Sequence, residues 1–320
     1  MSTTGPPPRT RRDKGQRRAA ALAALALVAA AVGVAIGSGG GGAAPTAPPK
    51  PAFVTVELGG DPLAHVRVGE LRRSRELAAL AARVPAQRVE HVGKASITYA
   101  VDRAAVPAAL RRAVREGGGT VKVTEAAIAS RIEVPMIAQR LQDDCEVTAL
   151  SMVLGYAGHP VGQLTLQRQV AAAKPLDPEV GPHGEEVWGD PSLGFVGRAD
   201  GGGPAGGFGV YQGPIRALAQ RHDLRMTDLI GVPPKRLYAA LLAGHPVLAW
   251  VALSAGPYAS WTSPAGKEIR INYGEHAVVL TGVDGTDVHV NDPLSGERLI
   301  WSKSQFEGMW AGLGHRALAA

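Results

Sequence analysis

Hydrophobic and polar positions in the first part of the chain after residue 52 predict a small α+β domain over residues 53–130. Residues 53–58 and 64–68 alternate between apolar and polar side chains, as half-buried strands do. The helical segments are rich in Ala, Leu and Arg, and a run of three glycines at 117–119 is a helix stop. The predicted elements are strands at 53–58, 64–68, 96–101 and 120–124 and helices at 72–83 and 104–115.

Longer apolar runs begin at residue 132 and predict a second domain over residues 131–320. The apolar stretch 147–156 predicts a mostly buried helix that ends at Gly158. Asp284-Gly285-Thr286 separates two apolar strands, which is the pattern of a β-hairpin. Residues 181–213 are glycine-rich and predict irregular structure. The remaining predicted elements are helices at 164–173, 214–222 and 235–243 and strands at 246–253, 276–283 and 287–291.

The first 52 residues have no pattern that predicts a folded core. Residues 1–18 are a basic tail, residues 19–37 contain an apolar run of 18 residues without a charge, and residues 38–52 are rich in Gly, Ala and Pro. This order predicts a cytoplasmic tail, a transmembrane signal anchor and a flexible linker. A cleaved secretory signal is the alternative. Both predict that the two domains lie outside the cytoplasm, held at the cell membrane or secreted.

The net charge of +6 is concentrated in the basic tail. Residues 1–18 contain six cations against Asp13, so only +1 remains for the rest of the chain. A protein that binds nucleic acid through a folded domain carries a basic patch on that domain. The charge distribution therefore predicts no nucleic-acid partner, and the only predicted partners are a peptide or protein substrate and the membrane.

Cys145 is the only cysteine in the chain. Exported proteins normally use cysteines in pairs as disulfides, and a single cysteine cannot form an intramolecular one. An odd cysteine in such a protein indicates intermolecular pairing or a reactive thiol. A buried and inert cysteine is the remaining alternative.

Four residues form a candidate catalytic set around that cysteine. Cys145 stands where a polar stretch gives way to the predicted helix, so the positive end of the helix dipole should favour its thiolate. His276 begins an apolar strand and could take the thiol proton and deliver it to a leaving amine. Asp292 ends the paired strand of the hairpin, where it could orient the imidazole. Gln139 lies six residues before the cysteine, and its amide could donate to an oxyanion.

These residues and the motifs around them resemble the stand-alone, C39-like branch (family 2) of papain-like cysteine peptidases over residues 132–320. The resemblance implies a papain-like α+β fold, in which the helix that bears the cysteine packs on an antiparallel sheet that bears His and Asp. It also implies hydrolysis of peptide bonds by a thiol nucleophile without a cofactor. The matching segments are Gln139 and Cys145-Glu146, then Gly194-Phe195-Val196-Gly197, Gly209-Val210-Tyr211-Gln212-Gly213-Pro214-Ile215, Gly244-His245-Pro246-Val247, Trp250, His276-Ala277-Val278-Val279-Leu280-Thr281-Gly282 and Asn291-Asp292-Pro293.

The chain departs from the family pattern just before the cysteine, where Asp143-Asp144 replaces the frequent glycine. Two carboxylates that point at the thiol would raise its pKa and oppose the helix dipole. Asp144 could instead cap the helix, which would leave the thiol unaffected.

Other interpretations of the same residues remain open at the sequence level. Each of the four candidate residues could instead have a purely structural role. For Asp292, Asn-Asp-Pro is a common turn sequence, and Asn291 could take its place beside the histidine. The scattered histidines lack metal-ligand spacing, and no Gly-Lys-Ser/Thr follows the glycines at 201–209, so neither a metal site nor a phosphate loop is predicted. The alternative functions are a cell-wall peptide hydrolase on the same machinery and a non-catalytic envelope protein that binds a peptide or partner.

Overall fold

The computed structural model describes residues 52–203 and 205–320, which belong to one compact unit. The predicted tail, the predicted anchor and all but the last residue of the predicted linker lie outside these residues. Within the described ranges, no helix is long and apolar enough to cross a membrane. The location of the protein therefore stays a prediction.

Seven α-helices and eighteen strands make up the described part of the chain, together with a 3-10 helix at Val68–Leu71. The helices are α1 (Ser74–Ala82), α2 (Val106–Arg115), α3 (Cys145–Ala157), α4 (Gln163–Gln169), α5 (Gln212–Arg221), α6 (Pro234–Leu242) and α7 (Lys303–Ala311). The strands are β1 (Phe53–Leu58), β2 (Asp61–Arg67), β3 (Gln87–Val92), β4 (Ala95–Val101), β5 (Gly119–Val123), β6 (Glu125–Ile132), β7 (Glu179–Val180), β8 (Glu186–Val187), β9 (Val196–Gly197), β10 (Gly207–Gly209), β11 (Thr227–Asp228), β12 (Val247–Ala252), β13 (Tyr258–Thr262), β14 (Glu268–Asn272), β15 (Glu275–Asp284), β16 (Asp287–Asp292), β17 (Glu297–Ser302) and β18 (Ala317–Ala319).

A nine-stranded sheet holds the larger core, in the order β11-β18-β12-β15-β6-β4-β3, with β16 paired to β15 and β17 paired to β16. Strand β15 is long enough to pair with β12 along its first half and with β6 further on, while β16 occupies its other edge. Helix α3 packs on β15. Its first ten residues are all buried, because the helix is apolar on nearly every face and lies inside the core. This arrangement confirms the predicted α+β, papain-like fold.

The first domain has its own smaller core, in which α1 and α2 pack beside the sheet β2-β1-β5. Alternate residues of β1 are buried in that core, as the hydrophobic pattern predicted. Strand β6, however, runs across the predicted domain boundary between residues 130 and 131. It pairs with β4 on one side and with β15 on the other, so one continuous sheet joins the two cores.

Several elements differ from the sequence prediction. The helix predicted over 164–173 ends at Gln169, because residues 171–173 instead exchange backbone hydrogen bonds with Phe195. The unpredicted α-helix is α7, and the unpredicted strands are β3, β6, β7, β8, β9, β10, β11, β13, β14, β17 and β18. Strand β6 contains three alanines, two isoleucines and three polar residues, and only its pairing with β4 and β15 identifies it as a strand.

Candidate active site

Cys145 is the first residue of α3 and is buried, with 6% of its surface exposed. The predicted position at a helix N-terminus is therefore observed. Its thiol donates a hydrogen bond to Oε2 of Glu146 at 3.4 Å. No hydrogen bond between Cys145 and His276 is present in the described structure, so the thiol faces a carboxyl group in this conformation.

His276 and Asp292 are joined by a short hydrogen bond between His276 Nε2 and Asp292 Oδ1, at 2.6 Å. Antiparallel pairing of β15 with β16 brings the two strand ends side by side, as the hairpin pattern predicted. The amides of Leu294 and Ser295 donate to the same carboxylate. Burial would raise the pKa of Asp292, but the bond and charge of His276, the Ser295 side chain and the Leu294 amide outweigh it and lower that pKa to about 2.

Gln139 lies beside the same site, but its amide is engaged within its own loop. Its Nε2 donates to the carbonyls of Leu141 and Gln142 at 3.1 and 2.8 Å. Its backbone N–H donates to the carbonyl of Pro293, which ties the loop to the end of β16. The side-chain Oε1 is buried and has no hydrogen-bond partner in the described structure.

One cleft of about 370 Å³ brings three of the four predicted residues together. Gln139, Cys145 and His276 line it, and Asp292 lies behind the imidazole. Since Nε2 of His276 is bonded to Asp292, Nδ1 is the nitrogen left for a thiol proton. The other lining residues are Gln142, Asp143, Ala205, Gly207, Phe208, Leu253, Tyr273, Gly274, Glu275 and Leu294.

Asp143 and Asp144 behave differently from the two sequence expectations. Asp144 occupies the N-cap position of α3, yet its side chain makes no capping bond to the helix and accepts from the N–H of Leu141 instead. The capping prediction was therefore wrong, because the preceding loop competes for that carboxylate. Burial raises the pKa of Asp143 to about 6, against a backbone hydrogen bond from Gly207.

The carboxyl groups that act on the thiol are those of Glu146 and Glu275. Glu146 belongs to a motif of the family resemblance, but neither carboxyl group was a predicted neighbour of the thiol. Burial first, and then these two groups, raise the pKa of Cys145 above its usual range. A charged residue within an apolar helix, and another just before the candidate histidine, were the signals in the sequence. Neither signal shows by itself that the two side chains meet.

Among the described residues, Cys145, Glu146 and Glu275 are close enough together to hold one metal ion, because their possible ligand atoms lie within 4.8 Å of one another. Metal binding requires the ionised thiolate and carboxylates. Burial disfavours those forms at all three groups. The set therefore carries no metal assignment.

Known proteins are similar to this domain in sequence and in structure. The sequence model of the Peptidase_C39 like family matches residues 131–318. The Bacillus subtilis protein YvpB is 36% identical over 210 residues, which cover 64% of this chain and 78% of YvpB. The crystal structure of a proposed C39-like peptidase from Bacillus anthracis is 31% identical, with a TM-score of 0.51 and coverage of 58% of this chain and 94% of that one.

A more distant structure is that of a double glycine motif protease from an AMS/PCAT transporter, in complex with the leader peptide. It covers 59% of this chain and 91% of its own at 16% identity, with a TM-score of 0.34, which is too remote to bear on activity. The family match covers more than half of the chain and the cleft described above. The chain therefore belongs to the C39-like peptidase family and is a cysteine-type peptidase.

Proposed function

We propose that the protein hydrolyses peptide bonds with a Cys145–His276–Asp292 triad, assisted by Gln139. The observation that carries the proposal is the cleft that both Cys145 and His276 line, while Asp292 is hydrogen-bonded to Nε2 of the imidazole. A carboxylate in that position fixes the imidazole tautomer and stabilises the imidazolium that forms during the reaction. Its lowered pKa keeps Asp292 ionised near neutral pH.

In the proposed reaction the Cys145 S–H bond breaks and the proton moves to Nδ1 of His276. The sulfur attacks the peptide carbonyl, and the imidazolium then gives the proton to the leaving amine. Water hydrolyses the resulting thioester and regenerates the thiol. The backbone N–H of Cys145 and the side-chain amide of Gln139 are the proposed oxyanion donors. Gln139 would have to release the carbonyls of Leu141 and Gln142 to take this role.

We also propose that the peptidase works outside the cytoplasm, held by an N-terminal membrane anchor. The support is the basic tail at 1–18 followed by the uncharged apolar run at 19–36. A protease added to intact cells should digest the folded domains if this topology is right. Digestion only after the cells are lysed would contradict it.

The test of the triad is the pH dependence of Cys145 alkylation by iodoacetamide in the purified full-length chain. His276→Ala should slow alkylation strongly near neutral pH, because it removes the base that takes the thiol proton. His289→Ala is the matched control, since His289 is also bonded to a carboxylate, that of Asp284, but lies outside the cleft.

Hydrolysis of a fluorescence-quenched peptide library gives a second readout that does not depend on the histidine variant. Cys145→Ala should abolish cleavage while retaining the native circular dichroism spectrum. A folded Cys145→Ala protein that still cleaves the library, or a folded His276→Ala protein with unchanged alkylation, would overturn the proposed triad.

A further inference from the structure

Glu146 links the nucleophile to the opposite wall of the cleft. Its side chain is fully buried, which is rare for a carboxyl group without a cationic partner. One oxygen, Oε1, accepts from the backbone N–H of Val210 at 2.5 Å, and Oε2 accepts from the Cys145 thiol at 3.4 Å. The two oxygens therefore have separate and specific partners.

The wall that Glu146 holds is the glycine-rich strand β10, of which Gly207 and Phe208 line the cleft. Gly209, at its end, has φ +118°. A Cβ atom at that position would overlap Oε1 of Glu146, so only glycine fits beside the carboxyl group. On the other side, Trp250 donates its indole N–H to the carbonyl of Val210 at 2.9 Å. The wall is thus held from both sides.

Glu275 completes the cluster from the start of β15, directly before His276. Its carboxyl lies within 4.8 Å of both the Cys145 sulfur and the Glu146 carboxyl. Its Oε1 is buried and has no hydrogen-bond partner among the described residues. Glu146 is fully buried and Glu275 is half-buried, and two carboxyl groups this close cannot both ionise readily, so the pair favours holding a proton. We call Glu146 and Glu275 the carboxyl pair.

We propose that the carboxyl pair positions Cys145 in a protonated resting state, turned towards Glu146 and away from His276. The proposal rests on the triad proposed above. Because the thiol proton is directed at Glu146, its transfer to Nδ1 of His276 requires the S–H bond to turn first. The S–H proton then passes to the imidazole, and the electron pair of that bond remains on sulfur.

The pKa directions agree with this geometry. Burial, followed by Glu146 and Glu275, raises the pKa of the Cys145 thiol. Burial raises the pKa of Glu146 to about 7, against the N–H of Val210. Burial and Glu146 also raise the pKa of Glu275. The other titratable or charged groups facing the cluster are Asp143, Tyr211, His276 and Arg316, of which Arg316 favours the ionised form of Glu275.

The test compares the pH dependence of iodoacetamide alkylation in Glu146→Gln, Glu275→Gln and wild-type full-length protein. A glutamine at 146 can still accept from Val210 through its oxygen, while its amide N–H can donate to a thiolate. A glutamine at 275 removes a carboxyl without touching the Val210 bond. Both variants should therefore alkylate faster than wild type at pH 7, by up to about tenfold if the thiol pKa falls by one unit.

Glu307→Gln is the matched control, because it removes a carboxylate hydrogen-bonded to Tyr238 outside the cleft. Its alkylation profile should equal that of wild type. A purely structural role for the carboxyl pair predicts lower stability with an unchanged alkylation midpoint. An unchanged midpoint in both folded glutamine variants would overturn the proposal.

This outcome is distinguishable from failure of the triad. If the triad is wrong, His276→Ala leaves alkylation unchanged or Cys145→Ala retains cleavage, whatever the glutamine variants do. If only the carboxyl-pair proposal is wrong, both triad variants behave as expected while the glutamine variants show the wild-type midpoint.

Discussion

At the scale of residues, a short hydrogen bond of 2.6 Å joins His276, which lines the cleft, to Asp292 behind it. The two lie sixteen positions apart in sequence, and the β15–β16 hairpin makes them neighbours. Asp292 also accepts from two backbone amides of the turn that follows it. It therefore has a folding role as a turn residue in addition to its proposed role beside the imidazole. The sequence had offered these as alternatives.

Substitutions of Asp292 should separate the two roles. Asp292→Asn keeps an acceptor oxygen for His276 Nε2, whereas Asp292→Ala leaves that buried nitrogen without a partner. We expect Asp292→Ala to lower kcat/KM on a cleaved library peptide by about 100-fold or more. Asp292→Asn should lower it less, because its amide oxygen can still accept from His276 Nε2. Equal losses in the two folded variants would contradict a positioning role through the hydrogen bond.

The lowered pKa of Asp292 predicts that the stability of the folded protein depends on pH. The pKa of Asp292 is lower in the folded protein than in the unfolded chain, so its contribution is complete above about pH 4. That contribution is lost as pH falls from there towards 2. The difference in Tm between wild type and Asp292→Asn should therefore shrink between pH 5 and pH 3. A difference that stays constant or grows would contradict this assignment.

At the scale of elements, β6 is the least predictable strand and yet the one that joins the two cores. The backbones of β6 and β15 lie so close together at Gly282 that no side chain would fit there. A Cβ atom there would clash with the backbone carbonyl of Ser130. The junction between the domains is therefore a matter of backbone contact, which explains why hydrophobic patterning did not reveal it.

Gly282→Ala should consequently destabilise the junction. Relieving the overlap with Ser130 requires β6 and β15 to separate, at an expected cost of about 1–3 kcal/mol. For a chain of this size that corresponds to a fall in Tm of roughly 2–10 °C. Gly308→Ala is the control. Gly308 is solvent-exposed in the middle of α7 with open space around it, so alanine there should stabilise the protein. An equal or higher Tm for Gly282→Ala would contradict the close approach.

At the scale of the whole molecule, the first domain contributes directly to the peptidase core. Ala95 of β4 is buried within that larger core. Lys94 donates to the carbonyls of Gly155 and Tyr156, at the C-terminal end of the helix that begins with Cys145. A cation at this end of a helix satisfies free carbonyls and favours the dipole. The first domain therefore supports the helix that carries the nucleophile.

A fragment of residues 131–320 should accordingly be less stable than a fragment of residues 52–320. Cutting at the predicted domain boundary divides β6 and removes both β4 and the Lys94 contacts. We expect the shorter fragment to unfold at least about 5 °C lower, measured by circular dichroism. Equal melting temperatures would mean that the peptidase domain is independent of residues 53–130.

Local patterns determined the parts of this protein that depend on neighbours in sequence. The apolar run after Cys145 made α3, ended at Gly158 by a left-handed backbone conformation that glycine adopts readily. The Asp284-Gly285-Thr286 turn made the hairpin that joins His276 to Asp292. Motifs beside these features, among them Cys145-Glu146 and Asn291-Asp292-Pro293, carried the resemblance to C39-like peptidases, so the family and the fold could be predicted.

Only the tertiary structure decided how the thiol is held. Sequence proximity suggested Asp143 and Asp144 as the carboxylates beside Cys145, but the fold turns Asp144 to the preceding loop and brings Glu275 from a distant strand to Glu146. The amide of Gln139 is likewise committed to its own loop. The ionisation of a buried group depends on its burial and on the charges around it in space, and neither is encoded by spacing along the chain.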